Sequence, residues 1–69
     1  MSEKEILKLS KLGFPGLEVK SIQEWIESCE KAGKELGSHQ SLLRFFDEKG
    51  YHATDPISWT EFLTLMAEF

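Results

Sequence analysis

The sequence predicts an all-α protein, a small bundle of about four short helices. Serines that can cap helix starts recur along the chain, and several have glutamate three residues later. Apolar residues return at intervals of three and four, which is the period of one helix face. Glycine and proline interrupt the pattern between these stretches. Helices are therefore expected at about 2–12, 21–36, 38–49 and 58–68, in a single domain spanning residues 1–69.

The first two helices have the clearest starts. Ser2 and Ser21 each precede a glutamate by three residues, the spacing of a capping box. The apolar stripe of the first helix is Ile6, Leu9 and Leu12. The stripe of the second is Ile22, Trp25, Ile26, Cys29, Ala32 and Leu36. The second helix ends at Gly33 or continues to Gly37, and the sequence does not decide between these two C-terminal ends.

The third helix is expected to be central, because it carries the densest apolar cluster of the chain. Ser38 can cap its start, and Gly50 can take the left-handed conformation that ends a helix. The cluster consists of Leu42, Leu43, Phe45 and Phe46. The fourth helix is expected to begin at Ser58, with Asp55 as the alternative cap.

The composition limits the function. The formal net charge of −4 argues against sequence-independent binding to nucleic acid and against an anionic membrane surface. The apolar runs are too short to span a bilayer, and the N-terminus lacks the apolar core of a signal peptide. A single cysteine, Cys29, excludes an internal disulfide and suits a reducing, cytoplasmic setting. No cofactor and no metal site are expected.

One segment carries a DNA-binding pattern. A small residue stands four before a turn glycine, a leucine directly precedes that glycine, and a Gln-Ser pair follows. These positions are Gly33, Leu36, Gly37, Gln40 and Ser41. The segment from Gly33 to Arg44 resembles the helix-turn-helix family. The resemblance implies that His39, Gln40, Ser41 and Arg44 face the major groove.

A second segment, Ile57 to Met66, has an isoleucine, a glutamate four residues later and then Phe-Leu. It resembles the back half of an EF-hand, in which the glutamate closes a calcium loop. Counting back from Glu61 puts Gly50 where the first calcium ligand, an aspartate, is needed. Glu61 is better explained as a capping residue, so calcium binding is not expected.

Catalysis has little support in the sequence. His39 and His52 are isolated, and Cys29 lies on an apolar helix face, where a thiol is usually an inert small hydrophobe. No glycine-rich phosphate loop or nucleophile elbow is present. The chain is therefore expected not to be an enzyme.

The leading hypothesis is a small acidic helical protein-interaction module, a regulator or inhibitor that docks on a larger protein partner. Residues 51–69 carry three acids and no base, which favours a partner with a basic surface. The expected apolar anchors are Trp59, Phe62, Met66 and Phe69. The expected acidic rim is Asp55, Glu61 and Glu68.

The apolar faces exceed what 69 residues are expected to bury, so a homodimer is predicted. The alternative function is a dimeric helix-turn-helix DNA-binding transcriptional regulator. The sequence alone does not separate core aromatics from interface aromatics.

Overall fold

A computed structural model describes residues 1–69, and it corrects the all-α prediction. Four helices are present: α1 (Glu3–Ser10), α2 (Ile22–Lys31), α3 (His39–Glu48) and α4 (Trp59–Met66). Two short strands, β1 (Val19–Ser21) and β2 (Pro56–Ser58), form an antiparallel sheet. The all-α prediction is wrong, since the protein is a small mixed α/β domain.

The strands arise from the way α2 and α4 begin. A helix N-cap residue has an extended backbone, and the caps Ser21 and Ser58 have ψ values of 155° and 160°. The residues that lead into these caps are extended as well, and the two segments lie side by side. Lys20 pairs with Ile57 at the centre of the sheet. A strand this short has no visible period-two pattern, which is why the sequence did not reveal it.

The predicted starts of all four helices are confirmed. Ser2, Ser21, Ser38 and Ser58 are the N-caps, and each side chain accepts a hydrogen bond from the backbone N–H three residues on. The second helix is shorter than predicted, because Gly33 takes a left-handed φ of 84°. The Lys34 N–H then bonds back to the carbonyl of Cys29 at 2.9 Å and closes the helix.

One hydrophobic core joins the four helices and β2. Of its twelve buried members, four come from α2, three from α4 and two from α3, and one each comes from α1, β2 and the loop after α2. They are Leu9, Ile22, Trp25, Ile26, Cys29, Leu36, Leu42, Phe46, Ile57, Trp59, Phe62 and Met66. The indole N–H of Trp25 donates to the carbonyl of Ile57 at 2.8 Å, so α2 is tied directly to β2.

The chain consists of two similar halves. A helix, a loop, a short strand and a second helix occur twice in that order. The same number of residues separates Gly13 from Gly50 as separates Ser21 from Ser58. Both glycines have left-handed φ values, 86° and 89°, and both serines cap helices. The two strands pair at their equivalent central residues, so an approximate two-fold axis passes through the sheet.

Candidate functional site

Three of the four predicted apolar anchors lie in the core. Trp59 is 2% exposed, and Phe62 and Met66 are fully buried. The ring of Trp59 lies 4.9 Å from that of Trp25 and stacks on Phe62 at 5.5 Å. In this structure these side chains hold α2 and α4 together and do not present a contact surface.

Phe69, the fourth predicted anchor, is 41% exposed and stands at the edge of a groove. The groove has a volume of about 450 Å³ and lies between α3 and the C-terminal residues. Its lining is Gln40, Ser41, Arg44, Phe45, Glu48 and Phe69. The groove thus brings together one residue of the predicted protein-docking surface and three of the predicted DNA-binding residues.

Two aromatic rings form the apolar part of this groove. The ring centroids of Phe45 and Phe69 are 5.1 Å apart in an edge-to-face arrangement, which is favourable for aromatic pairs. The Lys49 ammonium lies 5.7 Å from the Phe45 ring and pairs with the Glu68 carboxylate at 3.3 Å. A side chain at Gly37 would contact the Phe69 ring at 3.8 Å. These neighbours fix Phe69 in place although it is partly exposed.

The polar part of the groove contains both signs of charge. Arg44 is exposed and belongs to none of the three ion pairs of the chain, so its guanidinium is available to a ligand. Glu48, one helical turn further along α3, is also exposed and unpaired. Ser41 is occupied locally, because its hydroxyl accepts from Ser38 at 2.6 Å. Arg44 and Glu48 are therefore the two charged side chains that line the groove, and neither has an ion-pair partner within the chain.

The predicted acidic rim does not form one cluster around the groove. Asp55 accepts a hydrogen bond from the His52 N–H at 2.8 Å and shapes the loop before β2. Glu61 lies in the first turn of α4, where its carboxylate accepts from the Ser58 hydroxyl at 3.4 Å. Glu68 alone is next to the groove, through its pair with Lys49.

Phe45 and Glu48 also line the groove, although neither was among the predicted site residues.

The segment with the helix-turn-helix pattern joins two separate helices. Residues 32–38 connect α2 to α3, a longer connection than the roughly three to four residues of a helix-turn-helix turn. His39 begins α3, and its imidazole lies 3.6 Å from the Glu30 carboxylate. Gln40 and Arg44 are exposed one turn apart on the same helix. The structure thus places three of the predicted DNA-binding residues, Gln40, Ser41 and Arg44, in the groove lining. His39 precedes Gln40 in the chain and is not part of that lining.

The EF-hand-like segment, Ile57 to Met66, runs from β2 through α4. No group of three or more His, Cys, Asp or Glu side chains lies close enough to bind a metal ion.

Burial raises the pKa of the Cys29 thiol to about 11, and the nearby Glu30 adds to the shift. The thiol is therefore protonated at neutral pH and a poor nucleophile.

None of the helices is both long and apolar enough to cross a membrane. The chain was also compared with protein-family models, with curated proteins and with solved structures. None of these three comparisons produced a match.

Proposed function

We propose that this chain is a small acidic protein-interaction module that docks on a larger protein and regulates or inhibits it. The observation that carries the proposal is the groove beside α3, where the exposed Phe69 and the half-buried Phe45 form an aromatic pair. Binding energy at protein interfaces concentrates in a few aromatic and arginine residues surrounded by polar groups. Phe69, Phe45 and Arg44 are a set of this kind.

The charge distribution favours a partner with a basic surface. The chain carries a net charge of −4, and its segment 51–69 has three acids without a base. Glu48 has no partner within the chain, and Glu68 has only Lys49. A basic side chain of the partner would pair with Glu48 while an apolar side chain packs against the accessible side of the Phe45–Phe69 ring pair. Such complementarity raises the association rate and selects the partner. The single unpaired thiol, Cys29, suits action in the cytoplasm.

Affinity capture with matched variants tests this proposal. The tagged chain is incubated with lysate of its source cells, with and without nuclease, and the retained protein is identified and purified. Binding of that protein is then titrated against the wild type, Phe69→Ala and Leu7→Ala. Leu7 is the control because it is 60% exposed but does not line the groove. The expected result is at least about a tenfold loss of affinity for Phe69→Ala alone, as for an interface hot spot.

Further variants and outcomes decide between the two hypotheses. Glu48→Lys is expected to weaken binding and to reduce its sensitivity to salt, because one attractive charge pair is lost. Equal affinities for Phe69→Ala and the wild type would exclude the groove as the docking site. Recovery of DNA with all proteins lost on nuclease treatment would favour the alternative, a dimeric helix-turn-helix regulator. In that case Gln40→Ala and Arg44→Ala should abolish sequence-specific DNA binding while the chain remains folded.

A further inference from the structure

The outer edge of β1 has unpaired backbone groups. The Ile22 N–H donates to the Asp55 carbonyl, and the Trp59 N–H donates to the Glu18 carbonyl. These bonds belong to the same ladder as the central Lys20–Ile57 pair. In an antiparallel ladder the residues between hydrogen-bonded pairs point their N–H and C=O groups to the opposite side. The N–H and C=O of Val19 therefore point away from β2, toward an edge where the two-stranded sheet has no further strand.

The two edges of the sheet differ. At the position of β2 equivalent to Val19, the residue is Pro56, which has no N–H to donate. Proline on an edge strand is a common protection against pairing with another chain. Val19 has no such protection. If a further strand adds to this sheet, it adds to β1.

Two large apolar side chains near this edge are exposed to solvent. Leu17 is 90% exposed and Val19 is 59% exposed, and both are among the four large apolar side chains that the chain leaves in solvent. Leu17 lies in the turn that leads into β1, which the Glu18 N–H closes by donating to the Pro15 carbonyl at 3.1 Å, and Val19 is the first residue of the strand. Open hydrophobic edges are sites of strand addition. The unpaired backbone groups and the exposed apolar side chains thus both indicate β1 as the place where a further strand would add.

We propose that β1 pairs with β1 of a second copy of this chain, in an antiparallel register centred on Val19. Val19 of each copy then forms a hydrogen-bonded pair with its counterpart across a two-fold axis. The same register places Glu18 of one copy opposite Lys20 of the other, twice. Directly opposite charges of unlike sign stabilise antiparallel pairs, and like charges destabilise them.

The register is selected by charge. Centring the pair on Lys20 would place the two Lys20 side chains directly opposite each other, which is unfavourable. Centring it on Val19 leaves both lysines facing glutamates. The resulting sheet has four strands, with the Pro56 edges outermost. Because the contact is confined to one short strand and Leu17 on each side, the dimer is small and reversible, as expected of interfaces below about 1,200 Å².

Sedimentation of the whole chain over a wide range of concentration tests this interface. The wild type is expected to shift reversibly from monomer to dimer as concentration rises. Val19→Lys should weaken association by about tenfold or more, because a lysine on an edge strand opposes pairing. Leu7→Lys is the matched control, since Leu7 is 60% exposed on α1 and should leave association unchanged. A wild type that stays monomeric throughout overturns the proposal, even if a different protein is later found on the edge.

A charge-exchange experiment tests the register itself. Glu18→Lys alone and Lys20→Glu alone each place like charges opposite each other, so each variant should self-associate about tenfold more weakly than the wild type. An equimolar mixture of the two variants should recover association, because every charge then faces its opposite. Circular dichroism of each variant is the check that it is folded. If the mixture associates no better than either variant alone, the Val19-centred register is refuted.

Discussion

Replacing Trp25 with phenylalanine tests how much the hydrogen bond between α2 and β2 contributes to stability. The indole of Trp25 is fully buried, and its N–H donates to the Ile57 carbonyl of β2 at 2.8 Å. Such a bond contributes about 1 kcal/mol net, and the smaller ring costs about 1–2 kcal/mol more through the space it leaves. A loss of about 2–3 kcal/mol is large for a 69-residue domain, whose total unfolding free energy is about 3–10 kcal/mol.

Trp59→Phe is the matched control for this experiment. Trp59 is also buried, at 2% exposure, but its indole N–H donates to no group of the chain and reaches solvent, since no buried side-chain N–H is left without a partner. Each variant keeps one buried tryptophan, so urea unfolding can be followed by fluorescence in both. With a urea dependence of about 1 kcal/mol per molar, Trp25→Phe should unfold about 1 M earlier than Trp59→Phe. Equal midpoints would mean that the bond between α2 and β2 adds nothing to stability.

Two other predictions concern buried side chains. Phe62→Ala should destabilise the fold by about 3–5 kcal/mol and largely unfold it, because Phe62 is fully buried. A thermal melt near that of the wild type would contradict its place in the core. Burial raises the pKa of Cys29 from 9.0 to about 11, so the unfolded chain loses this proton first as the pH rises. The stability linked to this thiol is therefore present below pH 9 and decreases between pH 9 and about 11. Urea midpoints of Cys29→Ala, measured over the same range, should lack this component of the decrease.

The helix starts were predictable because their cause is local. Each start depends on a serine hydroxyl that accepts the backbone N–H three residues later, and the spacing of Ser21 and Glu24 is visible in the sequence. The strands depend on a contact between distant segments. Nothing in Val19–Ser21 or Pro56–Ser58 alone indicates pairing, since each is three residues long and leads directly into a helix. The sheet therefore had no local signal from which to predict it.

The limits of the site prediction have a similar origin. Phe62, Met66 and Phe69 follow one helical stripe, and periodicity alone assigns them the same role. In the structure, α4 ends at Met66, and the chain turns through hydrogen bonds from Glu68 to Leu65 and from Phe69 to Met66. This turn takes Phe69 out of the buried stripe and places it against Phe45. A helix end that shifts by a residue or two thus decides which aromatic side chain lies in the core and which reaches solvent.

The two halves of the chain share their architecture but differ at the sheet edge. The strands pair at equivalent residues, so the approximate two-fold axis makes Val19 and Pro56 counterparts. Symmetry alone would leave both edges equally open to another strand. Pro56 removes one N–H and closes its edge, whereas Val19 leaves the other edge able to donate and accept. The departure from internal symmetry therefore favours a closed dimer over an open chain of paired sheets, because each copy has a single edge available for pairing.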